Sequence, residues 1–379
     1  MGKKGSNSPP NIQDAKMKIK TIYCHYLCPV KKVDHLIVGQ GIIGSVLALE
    51  LVRRGKSIAV IDDAKLSSSS HIAGGVYNPF NFKFMMDLWR AKEMIECAKD
   101  IYVHAGKIAG TKIHTERKIH KILTEAERKH WEHSVLMRTG NFANEDISED
   151  VPHGVIAPHG IGIVNSAGNI DCIELLSAVR KLVDADGNYF HEKFELALLD
   201  LSNGDACYDG RIVASSIIFC EGHLAKMNPL FDHIPFRQAK GQLLHVEIPG
   251  LEFDDVLSRG ISLLPMGNSR FILSGTFENG LDDEEITVKA EEELLTKAKK
   301  FITLPIHVKD HLAGVRPAVA DRRAVVGTHA KHKQVAIING TGSRSVLLAP
   351  FLAKCLAEHF ESGAPIPSEV NVSRFLRIA

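Results

Sequence analysis

Three glycines and two aspartates carry the first chemistry legible in this chain. Gly39, Gly41 and Gly44 stand in G-x-G-x-x-G spacing within VGQGIIGS, and Asp62-Asp63 begins 18 residues after Gly44. In such spacing the first glycine permits a tight turn, the second lets backbone approach a pyrophosphate, and the third lets a helix pack closely on a strand. A carboxylate at Asp62 can accept both ribose hydroxyls of an adenosine. The pattern points to a bound dinucleotide, with NAD and FAD both open and an empty βαβ unit as the plain alternative. Far downstream, Gly340-Thr341-Gly342 follows the apolar run QVAIIN. A strand that delivers a glycine turn into a helix N-terminus makes a second anion site. No persuasive His/Asp pair offers a proton shuttle.

The flanking residues supply the elements these groups need. His35 to Val38 is a short apolar run suited to a buried parallel strand. Ile42 to Val52 is apolar nearly all round, which predicts a buried helix, and Gly55 stands where a left-handed C-cap belongs. Ile58 to Ile61 is the second strand, ending at Asp62. The loop DAKLSSSSHIAGGVYNPF then offers hydroxyl and backbone donors beside the nucleotide. Helical spacing follows over 84–109 and 115–137, and VIAPHGIGIVN (155–165) reads as strand. Asp171 can cap a helix over 172–183. Short strands are expected near 189–200, 205–208 and 211–219, the last closing in IIFCEG at Gly222. From Phe236, KGQLLHVEI, ISLLPM and RFILSGTFENG suit a largely antiparallel sheet, with a helix from about 288 to 302. A final helix runs through Phe360, and Pro350 inside it predicts a kink or a first turn that stops before it.

Composition limits the class. At 379 residues the chain can hold two joined domains. A net charge of +1 gives no global field toward nucleic acid or anionic lipid, so no nucleic-acid partner is expected. No apolar run approaches the roughly 20 residues of a membrane span. The seven cysteines (Cys24, Cys28, Cys97, Cys172, Cys207, Cys220 and Cys355) are odd in number and scattered. That usage suits a reducing compartment, and a cytoplasmic location is expected. Cys24, His25 and Cys28 lie close together without a second ligand pair, so no metal site is expected. Residues 1–32 are largely polar, carry two prolines within the first 20 residues, and lack a secretory core; they read as a disordered or peripheral arm, with Met17 as an alternative start.

Two nucleotide-like motifs so far apart argue for one long cofactor touching both ends of the chain. Together, VGQGIIGS with Asp62, SSSSHIAGGVYNP, IIFCEG, PFRQAKGQLL, LSGTFENG, AGVRPAVADRRAVVG and NGTGSRSVLLAP resemble the FAD-dependent oxidoreductases of the D-amino-acid oxidase type. That group includes glycine oxidase, sarcosine oxidase and the flavin domain of the wobble-uridine tRNA modification enzyme. The resemblance implies FAD, with Gly39, Gly41, Ile42, Ile43 and Gly44 at its pyrophosphate and Asp62, flanked by Asp63, at the adenosine ribose. Ser70, His71, Ala73, Gly74 and Gly75 would run past the pyrophosphate and isoalloxazine. Phe194 would touch the adenine through its backbone, and Gly222 would border the nucleotide. Gly340, Thr341, Gly342, Ser343 and Arg344 would lie at the flavin pyrimidine edge. Arg316 falls where relatives clamp a substrate carboxylate, the alternative being a structural ion pair, and Phe277 matches a pocket wall. Amino-acid oxidases carry an arginine at the position of Ser343; GSRS is nearer the tRNA-modification domain.

The expected fold is therefore α/β (α+β), a Rossmann-like FAD-binding domain with an inserted mixed or antiparallel-sheet substrate domain. The FAD unit is expected from 33–78, 166–225 and 311–379, and the substrate unit from 79–165 and 226–310. The expected function is oxidation of a C–N bond of a small amine or amino acid by hydride transfer to flavin N5. Arg316, Arg344 and Phe277 are the candidate catalytic residues. Alternatives are flavin-dependent removal of a carboxymethyl group from a tRNA uridine, an NAD-dependent dehydrogenase, and a flavoprotein without turnover. The electron acceptor stays open.

Overall fold

The computed structural model describes residues 30–64, 69–134 and 142–376. Most of the expected arm, Cys24 to Cys28, and Ser67-Ser68 of the serine loop lie outside them. Lys31 and Lys32 already belong to the first strand, Lys31–Val38.

An eight-stranded sheet holds the glycine motif. Its parallel part runs in the order Tyr189–His191, Ile58–Asp62, Lys31–Val38, Ile212–Phe219 and Val335–Asn339. The strand before Gly340 thus lies two places from the strand before Gly39, so both glycine turns leave the same end of one sheet. Buried parallel strands need apolar side chains on both faces, and Leu36, Ile37, Val60, Ile217, Ile218 and Ile337 are fully buried. One face carries helices Ile42–Arg53, Ala91–Ala109, Cys172–Asp184 and Ser345–Ser362, which form one apolar cluster. Gly55 adopts φ +74°, as its C-cap position requires. Asp171 accepts the Glu174 N–H at 2.9 Å and caps its helix as expected.

The second sheet has ten strands and is mixed. Its longest pair is Phe236–Glu247 against His307–Val319, antiparallel with one bulge. Helix Val288–Ala298 covers one face through Leu294 and Ala298. Val76–Tyr77, all of Ile161–Ile170 and all of His307–Val319 belong to this second sheet.

Four local expectations change. The helix expected over 115–137 is a strand, His114–Ile122, followed by a helix only at Glu125–Ser134. Ile119 and Ile122 imitate a helical step, but pairing with Ile161–Ile170 takes the segment into the sheet. The helix expected from residue 84 begins at Ala91, after Arg90 in a left-handed conformation. Strand begins at Ile161 rather than 155, and the helix from Val288 ends at Ala298 rather than near 302.

Pro350 neither ends nor precedes its helix, which continues from Ser345 to Ser362. Proline has no N–H, so the carbonyl of Val346 loses its donor one turn back. The buried Tyr102 hydroxyl donates to that carbonyl at 2.7 Å, which restores the missing bond from a neighbouring helix. Tyr102→Phe would leave a buried acceptor unpaired and should cost about 1–3 kcal/mol of stability, read by chemical denaturation. A loss below ~0.5 kcal/mol would show that the carbonyl finds another donor.

Candidate dinucleotide and substrate site

The glycine turn is defined by what cannot fit in it. Gly39 has φ +95°, and a Cβ there would lie 2.6 Å from the Cys220 carbonyl oxygen. A Cβ on Gly44 would lie 1.9 Å from the Gly39 oxygen, so the helix sits directly on the turn. Gly41 faces the Ser70 hydroxyl, 2.8 Å from where its Cβ would be, and Ile42 donates its N–H to that hydroxyl at 3.1 Å. A side-chain oxygen at a helix N-terminus marks a position where an anion oxygen is also favoured.

Beside this turn opens a cavity of about 500 Å³. It is lined by Gly39, Gly41, Ile42, Ile43, Asp62, Asp63, Ser70, His71, Phe194 and Gly222, ten of the expected site residues. Gly44 lies beneath it as packing. The bare glycine cradle, the helix N-terminus and the acid at the strand end fit a dinucleotide's diphosphate and ribose. Asp62 is already engaged: Oδ2 accepts the Gln40 N–H at 2.7 Å, and Oδ1 accepts the Ala64 N–H at 2.7 Å and the Tyr189 hydroxyl at 3.3 Å. A carboxylate has about four acceptor sites, so one ribose hydroxyl fits here more readily than two. Burial, with Arg180 nearby, lowers the His71 pKa against the pull of Asp62.

The other expected residues surround the cavity without lining it. Gly74 packs on Leu264 and Ile272 of the second sheet, and Gly75, at φ +71°, faces the Ile170 carbonyl; Ala73 is half-buried against the helix-side core. Gly340 (φ +72°) is fixed by Asn339, whose Oδ1 accepts its N–H at 2.7 Å while Nδ2 donates to the Gly222 carbonyl at 3.0 Å. One fully buried amide thus ties the two downstream glycine turns together. Thr341 bridges to Ala318, Gly342 to Arg344 form a tight turn, and Ser343 and Arg344 are exposed. Ser345 is the residue of this segment that reaches the cavity.

Arg316 is half-buried in the second sheet. Its Nη1 donates to the Thr276 carbonyl at 2.9 Å, and its Cζ lies 5.9 Å from the centre of the Phe277 ring, which is itself more than half exposed. Burial pulls the Arg316 pKa down, and no acid offsets this. Asp321 pairs instead with Arg374, and Asp310 accepts its neighbour's N–H.

The cavity also holds groups the sequence reading did not select, among them Lys193, Glu221, Met227, Asn228, Glu284 and Pro317. Glu221 is the most consequential. Its acid stood visible in IIFCEG, but only the folded turn aims it inward. Asn228 Nδ2 donates to its Oε2 at 2.8 Å, and burial pushes its pKa up to about 7 against that bond. No metal-ligating cluster of three or more His, Cys, Asp or Glu occurs among the described residues.

Two outcomes follow from this geometry. Gly41→Val should push methyl groups toward Ser70 and the diphosphate path, abolishing FAD retention while the apoprotein keeps its circular-dichroism spectrum; full flavin occupancy in the variant would sink the assignment. Glu221 binds its proton more tightly folded than unfolded. Its contribution is therefore full below the ordinary glutamate pKa near 4.5 and is lost as pH rises to about 7. Glu221→Gln should flatten the apoprotein's stability between those values and weaken the pH dependence of FAD affinity, measured by flavin fluorescence titration.

Comparison with known proteins adds to this geometry. Residues 34–359 match the family described as FAD dependent oxidoreductase (DAO). A glycine oxidase from Bacillus licheniformis is 22% identical over 367 residues, covering 89% of this chain and 95% of that protein. The crystal structure of glycine oxidase from Geobacillus kaustophilus superposes with a TM-score of 0.74 at 16% identity, covering 91% of this chain and 98% of that one. That of L-proline dehydrogenase from P. horikoshii gives 0.75 at 16% identity, covering 92% and 98%. At such identities the structures show a shared fold. The family match spans both glycine turns and Arg316: this chain belongs to the DAO family of FAD-dependent oxidoreductases, and FAD is its cofactor.

Proposed function

We propose that this enzyme oxidises the carbon–nitrogen bond of a small amino acid, with Arg316 anchoring the substrate carboxylate. The observation that carries this reading is a half-buried guanidinium that meets a carbonyl and a ring face, with no carboxylate beside it among the described residues. A charge so placed is costly unless an anion meets it. Strand His307–Val319 gives the guanidinium its surroundings: Gly314, on the same face, packs on Ser69 and Ile72 of the loop that leads to Gly74, and Pro317 lines the dinucleotide cavity. The names of the compared proteins, glycine oxidase and L-proline dehydrogenase, support an amino-acid substrate.

In this reading Gly39 to Gly44, Ser70 and His71 border the diphosphate, Asp62 takes the adenosine ribose, and Phe194 lies at the adenine. Gly340 to Arg344 bring a helix N-terminus toward the flavin ring. When bound, FAD supplies the two-electron acceptor for the hydride equivalent. The protein's part is orientation: a guanidinium fork binds a carboxylate in two places and so fixes the neighbouring carbon. Phe277 contributes apolar cover. An amine that arrives neutral needs no protein base.

Family membership sets aside the NAD-dependent alternative, and the net charge of +1 lends an RNA substrate no support. We propose a division into an FAD unit and a substrate unit, with the expected bounds (33–78, 166–225 and 311–379; 79–165 and 226–310) shifted so that Val76–Tyr77, Ile161–Ile170 and His307–Val319 fall in the substrate unit. The five described cysteines are free thiols, which supports a reducing compartment such as the cytoplasm. Among the described residues no helix is long and apolar enough to cross a membrane.

Anaerobic bleaching of the flavin by small amino acids and their amides tests the reading. Arg316→Lys keeps the charge but loses the fork, and kcat/KM for the carboxylated substrate should fall on the order of 100-fold with the amide little changed. Equal effects on acid and amide would overturn the anchoring role.

A further inference from the structure

We propose that Gly241 and Thr276 are positioning residues for Arg316, and that the aim of its guanidinium depends on the missing side chain at position 241. The functional importance of that aim rests on the anchoring role proposed above. Gly241 lies in strand Phe236–Glu247, opposite Gly314 and therefore diagonal to Arg316. Diagonal neighbours on one face are within reach of a long side chain. Arg316 takes that diagonal: a Cβ on Gly241 would lie 2.1 Å from its Cζ and Nη2 and 2.4 Å from its Nη1. The guanidinium thus occupies the volume that any other residue at 241 would fill. Gly241 does not have positive φ, so the requirement for glycine comes from this contact and not from its backbone.

The neighbouring residue fixes the other side. Arg316 Nη1 donates to the Thr276 carbonyl at 2.9 Å. Thr276 is 2% exposed, and its hydroxyl both accepts the Gln242 N–H at 2.6 Å and donates to the Gln242 carbonyl at 3.2 Å. Two consecutive residues of one strand therefore act together. Gly241 provides the slot, and the Gln242 backbone clamps the threonine whose carbonyl orients the fork. A planar fork meets a carboxylate in two places only when its plane is held. A methyl group in the slot would force the side chain off its rotamer.

The test is a pair of double-variant cycles on the FAD-loaded protein, read by Tm. Gly241→Ala should lower Tm by several degrees in wild type and far less in an Arg316→Ala background, where the clashing partner is gone. Thr276→Val breaks its two bonds to the Gln242 backbone in either background, so it keeps that loss in Arg316→Ala and should cost more only where Arg316 is present. Equal losses in both backgrounds would overturn the proposal, because each residue would then serve the strand alone. If Gly241→Ala fails to fold, recovery of a folded, flavin-loaded Gly241→Ala/Arg316→Ala double variant supports the proposal, and failure of the double variant overturns it.

The cycles contain no substrate, so they stand apart from the anchoring reading. Kinetics with glycine and glycinamide test the functional link. Gly241→Ala should cut kcat/KM for glycine on the order of 100-fold while sparing glycinamide. Thermal coupling without any shift in the glycine-to-glycinamide preference, in either Gly241→Ala or Arg316→Ala, would leave the slot in place and refute the anchoring role.

Discussion

The contact between Gly44 and the Gly39 carbonyl is the constraint on which the rest of the site depends. With a Cβ excluded at 1.9 Å, the helix from Ile42 can lie on the turn that feeds it, and Ile42 and Ile43 of its first turn line the cavity. The same closeness obliges the helix to be buried nearly throughout. Its far end holds Glu50 at 2% exposure, which Arg53 and Arg54 neutralise at 2.5 and 2.7 Å. An apolar helix with one internal ion cluster thus keeps its positive end directed at a dinucleotide and its negative end satisfied by arginine.

Strand His307–Val319 connects that constraint to Arg316. It pairs along its length in the second sheet, yet Pro317 borders the dinucleotide cavity and Ala318 bridges to Thr341 of the downstream glycine segment. Arg316 is therefore held in register with the cofactor site by backbone rather than by a flexible loop. A rigid support of this kind suits chemistry in which the protein's main contribution is alignment.

Much of this was legible in the residues. Glycine spacing, an acid at the next strand's end and a late strand-glycine-helix repeat are local signals, and each survives folding because a specific backbone approach demands it. Six of the ten expected residues that line the cavity, Gly39, Gly41, Ile42, Ile43, Asp62 and Asp63, come from the first two of these signals. Less local facts were hidden. Glu221 looks like a strand-end acid until the turn directs it inward, and Lys193 and Met227 come from unremarkable loops. His114–Ile122 carries two isoleucines at a helical interval, and its strand character is invisible locally because the partner strand Ile161–Ile170 lies far along the chain and leaves no mark on the segment itself. Pro350 suggests a kink or an early stop, yet the helix runs on through it, and a tyrosine from another helix takes the freed carbonyl.

Asn339 joins Gly222 to Gly340, and its strand closes a sheet whose first strand begins at Lys31. During synthesis the first βαβ unit must wait for more than half of the chain before its neighbour Ile212–Phe219 arrives, and Val335–Asn339 joins that strand later still. Loop closure over such distances adds little to the equilibrium cost, since it grows only logarithmically with length. Its effect is on time: pairings between remote segments form late, and until then Lys31–Val38 offers an open edge to other chains. The amide that joins the two downstream glycine turns therefore forms only once the last third of the chain has taken its place in the sheet.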